Sequence, residues 1–151
     1  MSYLKENQYV NSSNYRARIY LHYRFSTNKN PWPRWVFDSL LTDKPSAVLE
    51  IGCGNGMLWK ANADRIPSGW NITLTDFSEG MLDDARKNIG ESAGNITYNV
   101  MDAGSIPYDD HTFDIILANH MLYHVPDMKK VFSEIARVLK DDGVFYATTL
   151  E

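Results

Sequence analysis

Val48-Leu49-Glu50-Ile51-Gly52-Cys53-Gly54-Asn55-Gly56 reads as a buried strand that runs into a glycine-rich loop, with an acid just ahead of the first glycine. Glycine lacks Cβ, so such a loop adopts positive φ and lets backbone approach a ligand closely. The Glu50 carboxylate beside the loop selects the sign of the ligand's charge. It disfavours a phosphate and favours an ammonium group. The dinucleotide fingerprint G-x-G-x-x-G fails as well, because Gly52-x-Gly54-x-Gly56 is one residue short of it.

Outward from this loop, apolar runs alternate with helical patterns. Runs suited to buried strands fall at residues 47–51, 72–74, 96–101, 113–118 and 144–148. Helical spacing is predicted over 57–65, over 78–88 with Met81, Leu82, Ala85 and Ile89 on one face, and over 128–140 with Val131, Phe132, Ile135, Val138 and Leu139. Ser78 and Asp127 are candidate N-caps, Gly90 a helix stop, and Asp141-Asp142-Gly143 a turn. Upstream, Pro31-Trp32-Pro33 breaks the chain. A helix carrying Trp35, Val36, Leu40 and Leu41 then runs to Lys44-Pro45. Residues 1–30 interleave Tyr15, Arg16, Arg18, Tyr20, Tyr23 and Arg24 and fit strand and helix equally well. Strands alternating with helices predict an α/β fold, a doubly wound, Rossmann-like parallel sheet covered on both faces. Its loops after the strands gather along one edge, where ligands bind.

The 151 residues are the length of one domain, with 44% hydrophobic and 23% charged residues, an ordinary globular balance. A net charge of −4 argues against a dedicated nucleic-acid binder. The single cysteine, Cys53, excludes an internal disulfide and a cysteine metal cluster. His120 and His124 lack the intervening Glu and third ligand of a zinc helix, so no metal is expected. The N-terminus is polar and tyrosine-rich, unlike a signal peptide, and no apolar run reaches the ~20 residues of a membrane span. The expectation is a cytoplasmic protein without a membrane span.

Each loop at the predicted edge carries a polar residue. Asp76 ends the second strand and is placed to accept ribose hydroxyls, although a loop or cap acid reads equally well. Phe77 beside it is suited to lie on an adenine face or to pack under the helix. Asp102, after the third strand, is placed to accept from an exocyclic amine or to form a turn before Gly104-Ser105. Asn119 and His120 follow the fourth strand. As a set, these suit a ligand with an ammonium, a ribose and an adenine but no phosphates.

With these motifs the chain resembles the class I S-adenosylmethionine-dependent methyltransferases, in particular the small-molecule and quinone-biosynthesis-like group. The matching residues are Val48 to Gly56, Asp76-Phe77-Ser78 with Met81-Leu82, and Asp102-Ala103 with Ile106-Pro107-Tyr108 and Phe113-Asp114. Ala118 to Val125 and Val138 to Gly143 complete the set, which covers about residues 36–149.

The resemblance implies strand order 3-2-1-4-5, a cap segment at 1–35 and a cofactor-binding domain at 36–151. It implies S-adenosylmethionine as cofactor, with S-adenosylhomocysteine as product. Gly52, Cys53, Gly54 and Gly56 would meet the methionine part, Glu50 its amino group, Asp76 the ribose and Asp102 the adenine amine. Phe77, Met81 and Ala103 would flank the adenine, and Asn119 and His120 would lie near the sulfonium. Tyr15, Tyr23 and Arg24 would close over the site. His120, Tyr123 and His124 are candidate bases by position, with packing as the competing reading, so no catalytic residue is assigned.

The family's last two strands form an antiparallel hairpin, and this sequence stops directly after the fifth strand, ending in Leu150-Glu151, which resembles a vector-derived tail. The expectation is a piece of a longer enzyme. Its exposed fifth strand invites a homodimer or strand exchange. The acceptor is expected to be a small molecule. A non-catalytic S-adenosylmethionine-binding or scaffold module is the alternative.

Overall fold

The computed structural model describes residues 20, 24–27, 29–40, 42, 44–90 and 94–149. Five strands form one sheet: β1 (Ser46–Ile51), β2 (Trp70–Asp76), β3 (Asn95–Val100), β4 (Phe113–Asn119) and β5 (Leu139–Thr148). All neighbours pair in parallel, in the order β3-β2-β1-β4-β5. This is the expected doubly wound arrangement, with β1 at its centre. In β1 and β4 nearly every residue is buried, whereas the edge strands β3 and β5 are mostly half-buried or exposed. That gradient is what a parallel sheet covered on both faces requires.

The period-2 alternation of the strands sorts the core into two layers. On one face Val48, Ile72, Leu74, Ile115 and Leu117 pack with three helices: α1 (Trp32–Leu40), α2 (Met57–Lys60) and α3 (Glu79–Ile89). On the other, Leu49, Ile51, Ile116 and Ala118 pack with Val131, Ile135 and Val138 of α4 (Met128–Val138). Fully burying a side chain such as Leu49 or Leu74 contributes about 1.5–3 kcal/mol. The caps are those the sequence predicts. Ser78 Oγ accepts from Met81 N–H at 3.4 Å, Asp127 Oδ1 accepts from Lys130 N–H at 3.0 Å, and Gly90 ends α3 at φ 72°.

Several boundaries differ from the expectation, each for a local reason. Pro31-Trp32-Pro33 does not precede the helix; α1 begins at Trp32 and contains Pro33. Proline is tolerated in a first turn, where its missing N–H has no intrahelical acceptor. The helix expected over 57–65 breaks after Lys60 and resumes as a 3-10 turn, Ala63–Arg65. Buried Asn62 explains the break. Its amide donates to Leu58 O at 2.7 Å and to Pro33 O at 3.1 Å, spending the helix carbonyl on a tie to α1.

The C-terminal helix ends at Val138, and β5 starts at Leu139 rather than 144. Its register jumps from Phe113↔Leu139 to Ile115↔Val144, five positions on β5 against two on β4. The Asp141-Asp142-Gly143 turn signal is therefore expressed as an irregularity within the strand. Leu41, Tyr15 and Tyr23 lie outside the described residues. The expected cap boundary at 35/36 falls inside α1, whose Val36, Phe37 and Leu40 join the core. Among the described residues no helix is long and apolar enough to cross a membrane.

Candidate functional site

The C-terminal ends of β1, β2 and β4 meet around the glycine loop. Cys53 N–H donates to Thr75 O at 2.8 Å, so the loop leaves β1 still tied to β2, and Gly56 N–H turns back to Cys53 O at 3.1 Å. Gly52, Gly54 and Gly56 all have positive φ, 70°, 57° and 71°. Their surroundings differ. A Cβ on Gly52 would lie 2.8 Å from Met121 Cβ and one on Gly56 2.6 Å from Ile89 Cδ1. A Cβ on Gly54 would meet only Met81 Cε, at 3.9 Å. The Gly54 position thus presents open, side-chain-free backbone, and the glycines on either side are closed by packing.

Glu50 is buried, and both its carboxylate oxygens are held by neutral donors. Trp59 Nε1–H donates to Oε2 at 2.6 Å and Asn119 Nδ2 donates to Oε1 at 2.9 Å. Thr148 Oγ1 in turn donates to Asn119 Oδ1 at 3.1 Å. Burial pushes the Glu50 carboxyl above its ordinary range. The Asn119 and Trp59 bonds oppose this, and the Asp76 charge adds to it. Asp76 is buried too: Oδ2 accepts from Gly54 N–H and Oδ1 from Ser78 N–H, both at 3.0 Å. Burial raises its pKa against the backbone bonds of Ser78, Gly54 and Phe77. Among the described residues neither carboxylate is paired with a lysine or arginine.

The other expected positions are less uniform. Met81 is buried beside the Gly54 opening, and Phe77 at the start of the α3 turn is half-buried. Met101 N–H donates to Asp76 O at 3.0 Å, which brings the β3 end to the site one residue before Asp102. Asp102 itself is exposed, and its Oδ1 accepts from Gly104 N–H at 2.8 Å, the turn geometry. Ala103 lies in the core layer beneath α4. Burial pushes the Cys53 thiol well up, with Glu50 and Asp76 adding to it, which disfavours its thiolate form.

Asn119 faces inward to Glu50. His120 has φ 52° and stacks on Trp32 with ring centroids 5.1 Å apart. Tyr123 and His124 occupy a 3-10 turn and pack on each other at 4.3 Å. Arg24 is exposed, its guanidinium 5.9 Å from the Phe25 ring. Among the described residues no group of His, Cys, Asp or Glu is arranged to hold a metal ion.

Trp59 and Thr148 are the site residues that reading the sequence missed. The signal was available: a carboxylate inside a central strand needs donors, and Trp59 lies in the helical turn directly after the loop.

The family described as "Methyltransferase domain" matches residues 49–147, from the middle of β1 into β5. The chain belongs to the methyltransferase domain family. The "Demethylmenaquinone methyltransferase" of Lactobacillus johnsonii is 35% identical to this methyltransferase domain, over 84% of this chain and 55% of its own length. The "Ubiquinone biosynthesis O-methyltransferase" of Coxiella burnetii is 31% identical, over 80% of this chain and 50% of its own. Among solved structures, the YcgJ protein of Bacillus subtilis superposes with a TM-score of 0.65 at 28% identity, over 75% of this chain and 47% of its own. The methyltransferase domain therefore spans about half the length of the curated relatives it matches.

Proposed function

We propose that this methyltransferase domain binds S-adenosylmethionine at the C-terminal edge of β1, β2 and β4, and that the whole protein transfers the methyl group to a small-molecule acceptor. The observation that carries this reading is the pair of buried carboxylates, Glu50 and Asp76, flanking the open Gly54 backbone with no lysine or arginine paired to either among the described residues. Buried negative charge calls for a cationic or hydrogen-bond-donating partner. The cofactor brings both, an ammonium group and a ribose diol. A pyrophosphate brings neither.

The residues present fit the group. Glu50 would receive the ammonium and Asp76 the ribose hydroxyls, since the Asp76 oxygens together keep acceptor capacity beyond the backbone bonds from Gly54, Ser78 and Phe77. Backbone at Gly52, Cys53, Gly54 and Gly56 would line the methionine end. Asp102, Phe77, Met81 and Ala103 would face the adenine, and Asn119 and His120 the sulfonium. When bound, S-adenosylmethionine supplies an activated methyl group on a sulfonium. The chain's own contribution is to orient and to exclude water, and orientation alone lowers such barriers by several kcal/mol, up to about 7–11.

The acceptor end is proposed only as a class. Two of the relatives are named for demethylmenaquinone and for ubiquinone biosynthesis, and this reading places the acceptor beyond Asn119 and His120. The outer edge of β5 has no partner strand among the described residues, and Val144 on it is 46% exposed. We propose that a second copy pairs there. Calorimetric titration with S-adenosylmethionine and S-adenosylhomocysteine tests the cofactor site. The wild-type chain is expected to bind both, and Asp76→Ala to lose at least about tenfold in affinity. No binding of either ligand by the wild-type chain overturns the reading.

A further inference from the structure

We infer that Trp59 is a positioning residue: its indole N–H, together with the Asn119–Thr148 pair, holds the buried Glu50 carboxylate in the orientation that receives the ammonium group of the ligand. The inference rests on the cofactor reading above and adds to it a residue outside the glycine motif.

Four elements converge on this one carboxylate. Glu50 comes from β1, Trp59 from α2, Asn119 from the end of β4 and Thr148 from the end of β5. Trp59 is fully buried, and the Phe37 ring of α1 packs edge-on against it with centroids 6.1 Å apart, which fixes the indole plane. Its backbone is tied to the same turn that closes the loop. Lys60 N–H donates to Gly56 O at 3.0 Å and Asn62 N–H to Trp59 O at 3.1 Å. On the other side, the Thr148 hydroxyl occupies Asn119 Oδ1, so it is the amide NH₂ that faces Glu50. Loop geometry and carboxylate orientation are thereby set by one rigid unit.

The chemistry of the donors is informative. Indole N–H donates and cannot accept, and it carries no charge; the asparagine amide is neutral too. Two neutral donors orient the carboxylate without cancelling its charge. A lysine or arginine in either place would hold Glu50 as well, but would compete with the ammonium of the ligand. The arrangement thus leaves the carboxylate without a paired cation, open to an incoming one, while leaving neither oxygen unbonded before it arrives.

The test separates the ammonium end of the ligand from the rest. S-adenosylhomocysteine carries the amino-acid end; 5′-methylthioadenosine keeps the adenosine and thioether and lacks it. Trp59→Phe is expected to weaken S-adenosylhomocysteine by about ten- to hundredfold while 5′-methylthioadenosine changes by no more than about twofold, since only the charge-assisted contact is disturbed. Parallel losses for the two ligands show that the indole only packs, and overturn the positioning role alone. Binding of neither by the wild-type chain overturns the cofactor reading, and this inference with it.

A measurement on the wild-type chain guards against a variant that does not fold. The indole ¹⁵N–H resonance of Trp59 is followed during titration with each ligand. It is expected to move with S-adenosylhomocysteine and to stay in place with 5′-methylthioadenosine; equal movement with both refutes the inference. Thr148→Val, at a half-buried position, is expected to show the same selectivity at smaller amplitude.

Discussion

Alanine at Gly52 and at Gly54 should separate folding from binding within one loop. Both positions have positive φ, 70° and 57°, so an L side chain at either costs about 1–2 kcal/mol in backbone strain. The spatial costs differ. At Gly52 the new methyl would lie 2.8 Å from Met121 Cβ and 2.9 Å from its Cγ. Met121 Cβ is fixed to backbone directly after β4, so relief requires the chain to shift and not merely a rotamer change. Overpacking of that kind costs about 1–3 kcal/mol. Gly52→Ala is therefore expected to destabilise by about 2–5 kcal/mol. Gly54→Ala should cost only the strain, about 1–2 kcal/mol, because its nearest neighbour is Met81 Cε at 3.9 Å. Its methyl would instead fill the open backbone cradle, so binding of S-adenosylhomocysteine should be lost in a folded protein. Urea unfolding with an unchanged m-value measures the first quantity, and calorimetry the second. If Gly54→Ala proves the more destabilising, or binds S-adenosylhomocysteine as tightly as the parent, the division of the loop into a packed and an open glycine is wrong.

Three further outcomes are expected. Glu50 and Asp76 have folded pKa values raised by burial above their ordinary 4.5 and 3.8, so their contribution to stability is full below those values and is lost as pH rises through the raised ones. Glu134 behaves oppositely. Arg137 and the Ile106 N–H lower it to about 2, so its contribution is present above 4.5 and disappears on acidification toward 2. The slope of unfolding midpoint against pH should lose part of its downward component in Glu50→Gln, with Asp76 keeping the rest, and its acid-side rise should shrink in Glu134→Gln; unchanged slopes refute the assignments. Arg137 donates to Ile106 O and Tyr108 O, both at 2.8 Å, and to Asp110. Arg137→Lys keeps the charge but loses the fork, so amide exchange over 106–110 should accelerate while the Glu50 region stays protected. Val144→Lys, on the outer edge of β5, is expected to suppress concentration-dependent association in sedimentation equilibrium; a parent chain that stays monomeric at high concentration sinks the proposed pairing.

The strands and the doubly wound parallel class were legible because hydrophobic periodicity and the glycine loop report backbone requirements, which are local; the strand order came from the family resemblance alone. Ser78, Gly90 and Asp127 act as predicted for the same reason: a cap is satisfied within three or four residues. What the pattern could not show are features settled by residues far apart in sequence. The break after Lys60 depends on Asn62 reaching Pro33 O across 29 positions. The early start of β5 depends on pairing with Phe113, which a helical pattern through Leu139 conceals. At the site, Glu50 was legible as an acid beside the loop, but its bond to Asn119 spans 69 positions, and Asn119 was read as a sheet-edge residue near the sulfonium, not as a partner of Glu50. Asp102 shows the converse. Two readings were open from the sequence; its Oδ1 makes the turn bond by accepting from Gly104 N–H, and the adenine-side role stays a proposal.

The charge argument is stronger in three dimensions than along the chain. A single exposed acid next to a glycine loop would discourage phosphate only weakly, because water screens it. Here burial pushes both Glu50 and Asp76 up in pKa, and the Asp76 charge pushes Glu50 further. A second anion in the cradle would add to that repulsion in a medium of low dielectric. A cation there relieves it and lowers the Glu50 pKa on binding, so the ligand itself drives the carboxylate to its ionised form. Binding below the raised Glu50 pKa must then release a proton. S-adenosylhomocysteine should weaken on acidification more steeply than 5′-methylthioadenosine, which meets Asp76 but has no ammonium for Glu50. The difference between the two pH profiles isolates Glu50. Identical profiles would mean that Glu50 is a structural acid held by Trp59 and Asn119, and that the sign of the ligand's charge is chosen elsewhere.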